Sequence, residues 1–160
     1  NYQENLWYTG SLDRSTWIDS GTYPLPYATK YDGTNSTLFI HEQGKNDDGS
    51  TMTSFIESGD FDIGDGDDIL FVNKLIPDFK NQVGNVNISL KSRYFPTDTQ
   101  TTKGPFFYST SSSKINVRTR GRQIAVRLES NGYNNINNDA LDEDWRLGTL
   151  RFEVQPDGKR

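Results

Sequence analysis

Five carboxylates crowd one short stretch of this chain: Asp60, Asp62, Asp65, Asp67 and Asp68, with Gly64 and Gly66 among them. Oxygen ligands on a glycine-loosened loop would suit calcium. The spacing is not that of an EF-hand, however, and no Glu closes the stretch, while acidic glycine-rich turns commonly join two strands. The plain turn is the expected reading, and no metal is assigned. His41 is the one histidine and there is no cysteine, so neither an HExxH zinc pair nor thiol chemistry is open to the chain. A Ser-His-Asp triad would have to use His41; a strand-end histidine in a structural hydrogen bond is the simpler expectation. Glu57, Glu129 and Asp144 would serve glycoside hydrolysis if they met in space. With 22 acidic residues, some pair must lie close by chance, so no catalytic residue and no cofactor is assigned.

Four arginines, Arg118, Arg120, Arg122 and Arg127, follow one another closely. Arg118 and Arg120 alternate with Ile115 and Val117, which turns them to solvent or to a partner; pairing with acids across the sheet is the plain alternative. Arg122 shares parity with Ile124, Val126 and Leu128. Its stem should therefore approach the core, where a guanidinium needs a carboxylate. Asp142, Glu143 or Asp144, beside Trp145, are the expected partners, which makes Arg122 and Trp145 structural.

The elements that position these groups are strands. Apolar residues recur with period two, and Gly, Pro, Asn and Asp clusters interrupt them at short intervals. Asp32-Gly33 and residues 46–49 are turns flanking a hairpin arm near 37–42. The 69–76 run should end at Pro77, with Leu70 and Val72 on one face and Ile69, Phe71 and Leu75 on the other. Val86, Ile88 and Leu90 alternate with polar residues, as one buried face requires. Ile115 and Val117 are odd while Ile124, Val126 and Leu128 are even, so a turn or bulge near Gly121 must flip the parity. Residues 131–138 read as a loop and 139–144 as at most one helical turn. A last strand over 145–154 carries Leu150, Phe152 and Val154 on one face and stops at Pro156. The fold class is all-β, with a β-rich unit over 1–76, a boundary near 77–84 and an antiparallel β-sandwich-like module over 77–160.

Composition narrows the function classes. Only 32% of residues are hydrophobic yet 12% are aromatic, so a folded domain with wide polar surfaces is expected. A net charge of −5 argues against general affinity for nucleic acid. No apolar run approaches the roughly 18 residues of a spanning helix, and no signal-type start is visible. Asn1, standing where Met would, reads as a fragment of a longer polypeptide, whereas 157–160 reads as a natural end.

Several strings together carry a resemblance: Asp13-Arg14-Ser15-Thr16-Trp17, His41-Glu42-Gln43-Gly44, Phe61-Asp62-Ile63-Gly64-Asp65-Gly66, Pro77-Asp78-Phe79, Gly121-Arg122-Gln123, Arg127-Leu128-Glu129-Ser130, Trp145-Arg146-Leu147-Gly148 and Pro156-Asp157-Gly158. In order and spacing they resemble the C-terminal part of the nozzle or hub proteins of short-tailed bacteriophages, over nearly the whole chain. The resemblance implies a non-enzymatic virion protein, made in the bacterial cytoplasm and built into the tail. It also implies a β-rich, propeller-related earlier part and a closed ring of copies, a hexamer. The ring would continue the portal and adaptor channel, carry fibres or a tip, and let DNA pass without specific binding. The alternative is a tail-associated glycan-binding or glycan-cleaving module, for which Trp7, Tyr8, Trp17, Tyr23 and Tyr27 would form an aromatic platform.

Overall fold

A computed structural model describes residues 9–131 and 142–159, and it is all β apart from one short turn of helix. Two compact units meet at Gly44 and Lys45. The expectation for 131–138 falls, beyond Asn131, outside the described residues, as do 139–141 of the 139–144 turn.

The first unit is a three-stranded antiparallel sheet of β1 (Thr16–Ile18), β2 (Tyr27–Tyr31) and β3 (Ser36–Ile40), in that order. Asp32-Gly33 is the turn that its residue types predict. The Asp32 carboxylate accepts the N–H groups of Thr34 and Asn35 at 2.8 and 2.7 Å, an Asx turn, and Gly33 takes φ 99°, which glycine adopts at little cost. The Asn35 amide, then that of Thr34, holds the Asp32 carboxyl below its ordinary value. Trp17, Ala28 and Phe39 pair in one row and Ile18, Tyr27 and Ile40 in the next, so the two rows face opposite sides of the sheet.

The second unit opens with a small hairpin, β4 (Asn46–Asp47) and β5 (Ser50–Thr51), whose two loop residues Asp48 and Gly49 both have positive φ, as a type I′ turn demands. Two antiparallel sheets follow. One has the order β10-β7-β12, the other β6-β11-β8-β9. Here β6 is Phe55–Glu57, β7 Asp68–Val83, β8 Val86–Arg93, β9 Thr101–Tyr108, β10 Ile115–Gly121, β11 Gln123–Ser130 and β12 Asp144–Lys159. A single core holds Leu70, Val72 and Leu75 of β7, Val86, Ile88 and Leu90 of β8, Ile115 and Val117 of β10, and Ile124, Val126 and Leu128 of β11. Phe152, Val154 and Leu150 of β12 pack against it. Each such side chain contributes on the order of 1.5–3 kcal/mol by burial.

The parity flip near Gly121 is a corner between sheets. β10 pairs with β7, and two residues later β11 pairs with β8, so Val117 and Ile124, 1% and 0% exposed, both enter the core. Three expectations need correction. The boundary placed at 76/77 falls inside β7, which runs on to Val83. β10 covers β7 only up to Leu75, so beyond it one side of β7 pairs with no strand among the described residues, and there a proline costs no ladder bond. Pro156 likewise sits within β12, the outer strand of its sheet. Finally, Leu75 shares the core face with Leu70 and Val72, because Asn73 is an extra residue between the pairs Lys74–Glu153 and Val72–Val154. A bulge shifts the alternation by one. Glu153 secures it, accepting from Asn73 Nδ2 at 2.8 Å and Lys74 Nζ at 2.6 Å.

Candidate interaction surfaces

Ion pairing decides what the polar groups can do. On the outer side of β6, β11 and β8, Arg127 stands opposite Glu57. It contacts the Glu57 carboxylate at 3.0 Å and that of Glu129 at 2.8 Å, with its guanidinium 3.9 Å above the Phe55 ring. Lys91 Nζ closes on the other Glu57 oxygen. The hydrogen bond from Lys91, and next that from Arg127, holds the Glu57 carboxyl below its usual value, and Glu57 and Glu129 in turn push Arg127 up. A glycosidase acid must keep its proton near neutral pH; Glu57 is held in the opposite direction. Asp144 belongs to the other sheet, opposite Val83 of β7, where Lys45 binds it at 2.7 Å.

Because the Glu57 pKa is lowered by folding, its contribution is present above the unfolded value and is lost as pH falls through the folded one. We expect Glu57→Gln to cost about 0.2–1 kcal/mol near neutrality. The difference from wild type should fade below about pH 4.3. Urea melts at a series of pH values check this, and a difference that grows on acidification would contradict it.

The five acidic residues that lead into β7 do not converge on one point. Asp60 is taken by Arg93 and by Gln100 Nε2. The Asp68 carboxylate lies over Gly64, while Asp62 and Arg122 lie against Gly66, where a Cβ would stand about 3 Å from both. Asp65 and Asp67 face solvent. Among the described residues no three His, Cys, Asp or Glu side chains are placed to hold a metal ion. A chelator should therefore leave the melting temperature unchanged. A calcium site at a hundredfold excess over Kd would add about 2.7 kcal/mol, and a large fall on chelation would reveal one.

Arg122 forms the corner between β10 and β11, and two of its expected carboxylates, Asp142 and Asp144, are bound elsewhere, while the Glu143 side chain lies against Gly84. Asp142 binds Asn46 through Oδ1 and through its own N–H, and Asp144 binds Lys45. Arg122 instead lies against Gly66, with a buried Nε that has no hydrogen-bond partner. Trp145 meets Phe79 edge-on at 5.9 Å and donates its indole N–H to Ser130 Oγ at 3.3 Å, tying β12 to the facing sheet. Arg120 is paired across β7 with Asp157, at 2.7 Å through Nε. Arg118 is exposed without an ion pair among the described residues. Its backbone has φ 51°, and its carbonyl accepts Lys103 Nζ at 2.7 Å. Nothing in the spacing of Lys103 and Arg118 announces this contact.

In the first unit Arg14 Nε donates to His41 Nε2 at 3.2 Å, and Trp17 packs on the same imidazole at 4.5 Å. Tyr23 packs on Tyr27 at 5.1 Å. Trp17 and Tyr27 face opposite sides of the sheet, so they cannot share one flat ledge; Trp7 and Tyr8 lie outside the described residues. Of two open clefts in the second unit, one of 560 Å³ runs past Pro77, Asp78, Phe79 and Tyr108, and one of 490 Å³ past Arg93, Tyr94, Asp98 and Arg120. Each has a single carboxylate in its lining. Asp78 pairs with Arg151 and Asp98 accepts the Phe95 N–H, so neither cleft offers the convergent acids that hydrolysis needs. Compared with known proteins, the chain matches no family model and no curated protein sequence.

Proposed function

We propose that the chain is a structural, non-enzymatic module of a short phage tail, part of the nozzle or hub ring through which DNA leaves the particle. One observation carries this reading. Ile18, Tyr31, Leu38 and Ile40 stand 54, 60, 63 and 47% exposed on the face of the first sheet that Tyr27 shares, in a chain only 32% hydrophobic. A grouped apolar face on so polar a chain marks a surface made to be covered by protein. Its partners in this reading are copies of the chain in a hexameric ring, the adaptor on the portal side, and fibres or a tip. The negative net charge favours passage of DNA over its retention. The motif series that resembles nozzle and hub proteins supplies the virion setting.

Imaging of the native particle, with mass measurement of the assembled protein, tests the proposal. The expected result is density for this module in a closed ring at the tail. A chain found free of virions, with turnover on a glycan, would overturn it in favour of the glycan-cleaving alternative.

A further inference from the structure

Arg118 is the one arginine or lysine of the described residues with a positive φ. It sits inside β10, where Val117 and Arg118 together oppose Asn73, between the pairs Asn116–Lys74 and Thr119–Val72. Glycine or asparagine would occupy such a bulge with less strain. The long cationic side chain there is exposed, and Lys103 anchors the bulge by binding its carbonyl. The bulge thus carries an exposed guanidinium, and on its carbonyl an ammonium, neither with a carboxylate partner among the described residues. Strain kept in place of an easy glycine points to a use for the side chain.

The same unit carries the complementary surface. Gly64, Asp65 and Gly66 are three successive residues with positive φ, at 63, 54 and 77°. They fix a turn on which Asp65 and Asp67 project, exposed and without ion-pair partners among the described residues. Nucleic acid fits the bulge less well: a phosphate backbone needs several free cations in a row, and the neighbouring Arg120 and Lys74 are bound to Asp157 and Glu153.

We propose that the Arg118–Lys103 bulge of one copy of this chain docks on the Asp65–Asp67 turn of a second copy. The contact rests on the ring reading above and names its electrostatic register. Two different patches meeting in this way form a heterologous interface, the kind that closes into rings.

Sedimentation velocity of the 160-residue chain over a salt series tests it, with circular dichroism to verify folding. Wild type should self-associate at low salt and less so as salt rises. The double variant Arg118→Glu with Lys103→Glu, and the double variant Asp65→Lys with Asp67→Lys, should each associate at least about tenfold more weakly. An equimolar mixture of the two should recover association, since reversed charges then face each other. Arg118→Gly separates contact from fold: its melting temperature should hold or rise while association weakens. A wild-type chain that stays monomeric at low salt, reversed variants that associate at wild-type strength, or a mixture with no recovery would each overturn the contact. So would low-salt binding of duplex DNA that Arg118→Glu abolishes while self-association is unaffected. Association that survives the reversals leaves the ring itself standing, whereas particle images lacking the chain remove the ring without touching a contact measured on the isolated chain.

Discussion

Val126→Asp should abolish cooperative unfolding of the 45–160 unit, leaving a chain without a melting transition at 25 °C and above. Val126 is 4% exposed and pairs with Leu90 on β8; on its other side Ser58 bonds to its N–H at 3.0 Å and to its carbonyl at 2.9 Å. The side chain thus points into the core from a backbone fixed on both sides, and it has no route to water short of breaking β11 out of the sheet. An unpaired carboxylate there costs several kcal/mol even after its pKa adjusts, against the roughly 5–15 kcal/mol that holds a domain together. Thermal and urea melts followed by circular dichroism measure the outcome. A cooperative transition with an unchanged urea midpoint would mean that Val126 does not face the core.

How much of this was readable beforehand depended on whether each strand keeps its period. Val86, Ile88 and Leu90 lie on a strand with one buried face, and Ile124, Val126 and Leu128 on one whose other face carries Arg127 and Glu129 beside a buried Ala125, so alternation alone located them. β7 defeated the same rule. Its extra residue Asn73 turns Leu75 to the side of Val72, and Pro77 could be read as a stop only because the side of β7 that no described strand pairs was invisible in sequence. The true boundary at Gly44 was masked for a related reason, since turn residues that separate units are the same ones that close hairpins. The polar surface was less legible still. Arg127 and Glu57 are 70 residues apart, and Arg122 shares parity with the core residues yet sits at a corner, out of reach of the acids that chain proximity to Trp145 had suggested. Periodicity fixes which way a side chain points; which charge it meets is set by how sheets are ordered, and that is a long-range property.

The corner itself yields the second large effect. Gly121→Ala should destabilise the unit by about 1–3 kcal/mol, although alanine is otherwise the better residue in an extended strand. A Cβ at this position would stand 2.9 Å from Ser92 Cβ and 3.3 Å from the carbonyl oxygens of Arg93 and Gln123. None of these can swing away: Ser92 is paired in β8, and the Arg93 carbonyl accepts the Arg122 N–H at 3.0 Å, the bond that closes the turn between sheets. Relief must come from separating β10 from β8, which loosens the packing of Val117 and Ile124 on either side of the corner. Gly148→Ala is the matched comparison, because the nearest atom to its added methyl is the Asp78 carbonyl oxygen at 3.4 Å, an ordinary contact on an exposed strand. That variant should stay within about 0.5 kcal/mol of wild type. Equal urea midpoints for the two variants would show that the sheets do not approach closely at Gly121, and the corner would then owe its form to the chain's length between β10 and β11 instead of to the missing side chain.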